Sequence, residues 1–235
     1  MTTINAIMAE ALDHIATKLE TAVELGAEFN TAVQELLTEL ITEHGSVVFN
    51  GNGYSDEWQV EAAERGLPNL RTTLDALPEL ISEPAVQLFE RYGIFSESES
   101  HSRYEIGLEH YTQSIMVEAL STLEIGQTSV LPAAVRYQTE LATNVAALKA
   151  VGVEADMDLL EEVSAMITDL RVGIGALRAA IHAGHGEDAL GEATHAQTAL
   201  LPAMAAVRAA ADGLEAAVAD DLWPLPTYQE MLYIL

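Results

Sequence analysis

The sequence contains no cysteine, which excludes disulfide bonds and thiolate nucleophiles in this chain. Basic residues are scarce as well: ten Lys and Arg stand against 37 Asp and Glu, giving a formal net charge of −27. Such a charge repels the phosphates of nucleic acids and the headgroups of anionic lipids. We therefore expect neither nucleic acid nor a membrane surface as a partner, and we attribute the charge to solubility.

Long hydrophobic runs are also missing. Apolar stretches such as residues 199–207 are much shorter than the ~20 residues that span a bilayer. Near the N-terminus, Glu10, Asp13 and Lys18 interrupt the apolar pattern, which indicates an amphipathic helix and not a signal peptide. We therefore expect a soluble, cytoplasmic protein.

Alternating strand patterns do not occur, and helical periodicity dominates, which predicts an all-α fold. At the N-terminus the periodicity predicts a helical hairpin, its first helix closed by Gly26 and its second by Gly45. Pro68, Pro78 and Pro84 then divide the following segment into short helices and turns. The apolar face of the first helix consists of Ile4, Ile7, Met8, Ala11, Leu12, Ile15, Leu19 and Val23.

From Ser96 onward the pattern is longer and more regular. Ser96 and Glu99 fit a capping box for a helix that we expect to run, with a kink at Pro132, to about Val151. Three stretches with heptad-like spacing predict a long-helix antiparallel bundle joined by "VGVEADMD" and "HAGHGED". The stretches are Val130, Ala134, Tyr137, Leu141, Asn144, Leu148 and Val151; Leu160, Val163, Ile167, Leu170, Ile174, Leu177 and Ile181; and Leu190, Ala193, Gln197, Leu200, Met204, Val207, Ala211, Leu214 and Val218.

The ending "LWPLPTYQEMLYIL" is strongly apolar and carries one charged side chain. Pro224 and Pro226 favour an extended path at its start. Because this much apolar surface is an aggregation hazard in water, we expect the extended aromatic tail to dock. Its anchors are predicted to be Trp223 and Tyr228, and its site either the helices near residues 49–70 or a neighbouring subunit.

Two patterns suggest a metal site, and each has a simpler interpretation. A dinuclear site in a helical bundle needs two Glu-x-x-His pairs and two further Glu, but one pair occurs here, Glu192 with His195. The second pattern is a cluster in "HAGHGED" that is equally explained by a helix end followed by a helix start. It comprises His182, His185, Glu187 and Asp188. We therefore predict no catalytic, cofactor-binding or metal-binding residue in this chain.

The stretch "VVFNGNGYSDEW", residues 47–58, is irregular and rich in turn-forming residues. It lacks the third glycine of a dinucleotide-binding fingerprint and the Lys of a phosphate-binding loop. We interpret it as a turn whose glycines permit positive φ and whose asparagines satisfy local backbone groups. Ser55 is expected to cap the helix that follows.

Several long, irregular segments resemble the region that follows the catalytic barrel in type III glutamine synthetases. These are "VVFNGNGYSDEWQVEAAERGLPNLRTTLDALP", "FERYGIFSESESHSRYEIGLEHY", "VEALSTLEIGQTSVLPAAVRYQTELA" and "LWPLPTYQEMLYIL". The stretch "TTINAIMAEALDHIATKLE" is similar to the first helix after the last catalytic-strand motif of that family. The resemblance assigns residues 1–115 to the helical end of the catalytic domain and residues 116–235 to the type III C-terminal helical extension with its docked tail.

The resemblance implies a parent enzyme that joins ammonia to glutamate with ATP, uses Mg²⁺ or Mn²⁺, and works as a homo-oligomeric double ring. The metal-binding carboxylates, nucleotide site and catalytic arginines of the family precede the region that this chain resembles, so none is carried over. We therefore expect a structural and assembly role. The expected partners are the remainder of a glutamine synthetase chain and neighbouring subunits.

The loop between Asn50 and Tyr54 is expected to pack against the barrel or a neighbouring subunit and not to contact substrate. The alternative to the family assignment is a free-standing helical-bundle interaction module without catalysis. A metal-binding bundle enzyme is a third possibility, but the sequence offers too few ligands for it.

We predict that the melting temperature of this chain rises with chloride concentration at neutral pH. The compact state concentrates a net charge of −27, and salt screens its self-repulsion. The measurement is a series of thermal melts between low and roughly molar NaCl, because sulfate would add general salting-out. A melting temperature that does not change across the series would contradict the prediction.

Overall fold

A computed structural model describes residues 2–183, 186, 188–226 and 228–232, with the backbone alone for Tyr228 and Gln229. Within these residues the regular structure is helical and no strand occurs, which confirms the predicted all-α fold. None of the described helices is both long and apolar enough to cross a membrane. The chain divides into two compact units, Met1–Tyr104 and Glu105–Leu235.

The first unit begins with the predicted hairpin and continues with short helices. Its elements are α1 (Thr2–Glu24), α2 (Phe29–His44), a 3₁₀ turn (Gly45–Val47), α3 (Asp56–Glu64), α4 (Thr73–Ala76), a 3₁₀ turn (Leu77–Ile81) and α5 (Glu83–Arg91). The long helix α6 (Glu97–Ile125) starts in this unit. As predicted, prolines separate the short pieces, with Pro78 in the second 3₁₀ turn and Pro84 in the first turn of α5.

Local capping explains where these helices begin and end. Gly26 has a φ of 95° and closes α1, because an L side chain is unfavourable in that conformation. Ser55 accepts a hydrogen bond from the backbone N–H of Trp58 and caps α3, as expected. The Ser96–Glu99 capping box is also confirmed: the Ser96 N–H donates to Glu99 Oε2 at 2.8 Å. This hydrogen bond lowers the pKa of Glu99.

The second unit is built from three long helical segments. The first runs through α6, a π-helical turn (Gly126–Val130) and α7 (Leu131–Ala150), and the second is α8 (Asp158–His182). The third comprises α9 (Ala189–His195), a π-helical turn (Ala196–Leu200) and α10 (Leu201–Ala217). A 3₁₀ turn (Asp220–Leu222) and α11 (Tyr228–Leu232) follow.

Side-chain pairs show that these segments run antiparallel to their chain neighbours. Gln138 donates to Ser164 Oγ at 2.8 Å, whereas Gln127, earlier in the chain, accepts from Arg178, later in the chain. The same inverse order holds between α8 and α10, where a Cβ built on Gly173 would lie 3.3 Å from Val207 and one on Gly213 would lie 2.9 Å from Met166 Sδ. The predicted antiparallel packing is therefore present.

Both π-helical turns precede a proline. In each case the N–H of the residue before the proline bonds five residues back, from Leu131 to Gly126 and from Leu201 to Ala196. A proline removes one helical hydrogen bond and its ring crowds the carbonyl four residues earlier, and a widened turn relieves that crowding. The predicted kink at Pro132 therefore takes the form of a π turn, and Pro202 has an equivalent turn that was not predicted from the sequence.

The two π turns also share a sequence, Gln-Thr-x-x-Leu-Pro-Ala, at residues 127–133 and 197–203. The threonines behave alike: Thr128 donates to the carbonyl of Glu124 and Thr198 to that of Thr194, each at 2.7 Å. This internal repeat places the same widened turn in two of the three long segments.

The heptad assignments are mostly confirmed. Three predicted core positions are exposed instead: one in α7, one directly after it and one in α9. Leu170, Leu177, Leu200 and Leu214 are fully buried in one hydrophobic core. The heptad pattern places Asn144 and Val151 in the seam, but both are exposed, while Val145 is buried instead. The buried and half-buried positions of α7 follow the 3.6-residue period of a straight helix, from Leu141 to Val145 and Leu148, and a strict heptad drifts away from that period. Leu190, which the pattern also places in the seam, is 41% exposed at the start of α9.

The beginning of the tail packs within the second unit. Leu222, Trp223 and Leu225 are partly buried against the hydrophobic core of that unit. Trp223, one of the two predicted anchors, is thus half-buried against the core of its own unit. Thr227, the side chain of Tyr228 and residues 233–235 lie outside the described part, so the predicted anchor at Tyr228 stays a prediction.

We predict that Leu170→Ala and Leu214→Ala each lower the free energy of unfolding by roughly 2–5 kcal/mol, because each leaves a cavity in a closed core. Both leucines are 0% exposed. Ala209→Ser, at an exposed position of the same bundle, serves as the control and is expected to cost well under about 1 kcal/mol. Urea unfolding curves measure all three. Equal stabilities would show that the assignment of the core is wrong.

Candidate functional site

The irregular stretch at residues 47–58 is an ordered loop held by an aromatic stack. The rings of Phe49 and Trp58 are stacked, with centroids 4.3 Å apart and planes inclined by 23°. The guanidinium of Arg65 lies 5.4 Å from the centroid of the Trp58 ring, a cation–π distance. The two ends of the loop are thus connected by Phe49 and Trp58, and Arg65 adds a third side chain to the contact.

Arg65 also binds the backbone that leads into the loop. Its Nη1 donates to the carbonyls of Ser46 and Val48, both at 2.9 Å, and its Nη2 pairs with Glu61 one turn earlier on α3. The planar guanidinium has several fixed donors, so one side chain can serve the stack, the backbone and the ion pair together. Arg65 therefore joins the end of α2 to α3.

The tip of the loop is fully presented to solvent. Asn52 Oδ1 accepts from the N–H of Tyr54 at 3.0 Å, and the Asn52 carbonyl accepts from the N–H of Ser55 at 3.0 Å. These bonds confirm that an asparagine satisfies local backbone groups, as predicted. Tyr54 is 98% exposed. The hydrogen bond with Ser55 lowers the pKa of Glu57 at the start of α3.

The predicted role of the loop glycines is wrong. Neither Gly51 nor Gly53 has a positive φ. Gly51 is required for a different reason: a Cβ at this position would overlap the Phe49 ring, which rests directly on the glycine. A Cβ at Gly53 would have no neighbouring atom within 4 Å. One glycine therefore provides space for the stack, and the other lies in open surroundings.

A groove of about 460 Å³ lies between α1, the C-terminal end of α2 and the residues that lead into the loop. Most of its lining is apolar and includes Ile15, Leu40, Ile41, Val47 and Val48. His14 and His44 also line it. The groove and the loop are thus neighbours in sequence, with Val48 preceding the Phe49 ring.

The side of α1 that packs against α5 is its more polar side. Asp13 accepts a hydrogen bond from Tyr92 Oη at 2.7 Å, which raises the pKa of Tyr92. Glu10 forms an ion pair with Arg91 at 3.7 Å, and Ala6 is the buried residue of α1. The apolar face of α1 is therefore present as the predicted stripe, but much of that stripe points away from the contact with α5.

The two candidate metal patterns have structural explanations where they are described. His182 ends α8, and its Nδ1 lies 2.8 Å from the carbonyl of Arg178. Asp188 caps α9 by accepting from the N–H of Gly191 at 2.7 Å. This agrees with the helix-end interpretation, although His185 and Glu187 lie outside the described residues. His195 Nε2 lies 2.9 Å from the carbonyl of Ala180 and links α9 to α8.

Across the described residues, no group of three or more His, Asp or Glu side chains is arranged to hold one metal ion. The candidate site is therefore a surface. It consists of the ordered loop at residues 47–58, with Tyr54 exposed, and the apolar groove that Val47 and Val48 line.

We predict that Gly51→Ala lowers the free energy of unfolding by about 0.5–1.5 kcal/mol, the usual value of an aromatic pair, because the added methyl displaces Phe49 from Trp58. Near-UV circular dichroism and urea unfolding report the loss. Gly53→Ala is the matched control and should leave both unchanged. If the two variants behave alike, Phe49 does not depend on the space at Gly51.

Comparison with known proteins identifies where such a chain belongs. The family model for the glutamine synthetase C-terminal domain matches residues 32–149. The chain is 35% identical to a glutamine synthetase of Butyrivibrio fibrisolvens over 89% of its own length and 31% of that protein. It is 31% identical to a glutamine synthetase of Bacteroides fragilis, over 99% of the chain and 33% of the relative.

A type-3 glutamine synthetase of Dictyostelium discoideum is 32% identical, with 98% of this chain and 32% of that protein covered. The chain thus spans about a third of the length of the curated relatives that it matches. The matched range begins in α2, includes the loop at residues 47–58 and ends in α7, so it crosses both compact units. This chain belongs to the glutamine synthetase family and corresponds to its C-terminal domain.

Proposed function

We propose that this chain is the structural C-terminal segment of a type III glutamine synthetase, the ATP-dependent ligase that makes glutamine from glutamate and ammonia. Its role is to complete the flank of the catalytic domain and to provide a helical extension for assembly. The observation that carries the proposal is the family match combined with its extent, about a third of each relative's length. The segment itself has no catalytic function in this proposal.

The distribution of chemistry within the chain supports a structural role. The second unit encloses a core made almost entirely of Ala, Leu, Val, Ile and Met side chains. The polar side chains described near α8 and α9, such as His182, His195 and Asp188, bind backbone groups at helix ends. Side chains used in this way hold helices in place.

For the parent protein we propose the properties that the resemblance implies: ATP and Mg²⁺ or Mn²⁺ as requirements, a homo-oligomer, and a cytoplasmic location. The remainder of the glutamine synthetase chain and neighbouring subunits are the proposed partners. A free-standing interaction module is the second candidate. The closed core of the second unit favours it, because such a bundle does not need a partner to bury its seam.

We predict that the purified chain does not make glutamine from glutamate, ATP and ammonia. The reaction transfers a phosphoryl group and needs metal ions to neutralise the developing charge. The assay is phosphate release that depends on both glutamate and ammonia, with a buffer blank and an intact family enzyme as controls. Dependent release by the purified chain would refute the claim that the segment is inactive.

A chimera tests the proposed role directly. In the Butyrivibrio fibrisolvens glutamine synthetase, the part that matches this chain is exchanged for residues 1–235, and a second protein simply lacks that part. We expect the chimera to have glutamine synthetase activity and the truncated protein to have none. Activity in the truncated protein, or equal inactivity of both, would contradict the proposal that the segment completes the enzyme.

A further inference from the structure

We propose that the apolar face of the α1–α2 hairpin is the surface through which this chain docks onto the remaining two-thirds of a glutamine synthetase polypeptide. The partner surface is apolar at its centre and basic at its rim. This inference rests on the proposed function and specifies its partner surface. We define the hairpin face as Ile4, Ile7, Met8 and Leu12 of α1, Leu37 and Ile41 of α2, and Val47 and Val48.

Every residue of the hairpin face is exposed. The exposed fraction ranges from 52% at Ile7 and Leu37 to 71% at Ile41. On α1 the four residues recur at three- and four-residue spacing, so they form one stripe, and Ala11 and Ile15 continue that stripe into the groove. Exposed apolar side chains that are grouped in this way, and not scattered singly, mark an interaction site.

The polar side of α1 makes its contacts within the first unit. Asp13 and Glu10 bind Tyr92 and Arg91 at the end of α5, and α1 also packs against α2, whose buried residues are Ala32 and Leu36. An amphipathic helix normally does the reverse, with the apolar stripe packed and the charged residues outside. The outward apolar stripe of α1 therefore has no cover among the described residues of this chain, which indicates a partner from outside it.

The acidic charge of the hairpin distinguishes between two possible partners, a second copy of this chain and a basic surface of another polypeptide. Residues 2–48 contain eight Asp and Glu but a single Lys, Lys18. Lys18 pairs with Glu39 across the hairpin, and this hydrogen bond lowers the pKa of Glu39. A second copy of the chain would bring two acidic rims together, which like-charge repulsion opposes. A partner with Lys and Arg around an apolar centre satisfies both features of the face.

The family relationship indicates where a partner would come from. The relatives contain about twice as much additional chain as the part that matches here. The family match itself begins within the hairpin, in α2, and continues through Val47, Val48 and the loop. The hairpin face is therefore part of, or directly next to, the portion that the family shares.

Cysteine footprinting tests the proposal, because the chain has no cysteine of its own. Leu12→Cys and Ile41→Cys place one thiol each on the hairpin face, and Val60→Cys places one at an exposed position of α3 outside it. Alkylation by iodoacetamide is followed by peptide-resolved mass spectrometry, first in the isolated chain and then in the chimera with the Butyrivibrio fibrisolvens enzyme. The rates at positions 12 and 41 are taken relative to the rate at position 60.

We expect all three thiols to react readily in the isolated chain. In the chimera, the relative rates at positions 12 and 41 should fall at least about tenfold, because a docked surface reacts only when it opens. An active chimera with unchanged relative rates would overturn this inference and leave the proposed function intact. Protection that already occurs in the isolated chain and grows with its concentration would also overturn it, since a second copy would then be the occupant.

An inactive chimera would instead count against the proposed function, and the docking inference would fall with it. A double variant, Leu12→Ser with Ile41→Ser, gives an independent measurement. In the chimera it should lower activity or assembly, while the isolated double variant melts like the unsubstituted chain because both positions are exposed. Full activity of the double-variant chimera would contradict the docking role.

Discussion

The burial of apolar surface governs how the two units of this chain differ. The second unit covers its own seam: α8 lies against α7 and α10, and Leu170, Leu177 and Leu214 are completely enclosed. The first unit does not, because α1 and α2 leave a stripe of Ile, Leu, Met and Val in water. Burying one such side chain is worth roughly 1.5–3 kcal/mol, so the stripe represents a large unused contribution to stability or binding. A segment of a larger enzyme is expected to have this asymmetry.

The loop at residues 47–58 connects the exposed stripe to the rest of the first unit. Arg65 holds the carbonyls of Ser46 and Val48 and lies over Trp58, while Trp58 stacks on Phe49. The backbone that carries Val47 and Val48 is therefore fixed from two sides. A fixed loop loses little conformational entropy when a partner binds, which favours an interface at this position.

The sequence predicted the helices, several caps and most of the bundle core, because these depend on local patterns. Ser55, Ser96 and Glu99 cap as expected, and the seam of α8 is buried as expected. The assignment of Asn144 failed because a strict heptad assumes 3.5 residues per turn, whereas α7 buries Val145 in keeping with the 3.6 residues per turn of a straight helix. The repeated Gln-Thr-x-x-Leu-Pro-Ala motif was the available signal for both π turns.

Other features depend on contacts that periodicity does not encode. Gly51 gave the usual signal of a turn glycine, but its role depends on where the Phe49 ring lies. The apolar stripe of α1 was predicted, yet a hydrophobic pattern does not show whether the covering surface belongs to the same chain. That distinction required the contacts of Asp13 and Glu10 with Tyr92 and Arg91, which fix the orientation of the helix.

An electron cryo-microscopy structure of the chimera with the Butyrivibrio fibrisolvens glutamine synthetase would test the central claim most directly. The account predicts that Leu12, Ile41 and Val47 are covered by the glutamine synthetase polypeptide outside this segment, with Lys or Arg side chains opposite the acidic residues of the hairpin. A map in which these three side chains face solvent, or contact only another copy of the segment, would contradict it.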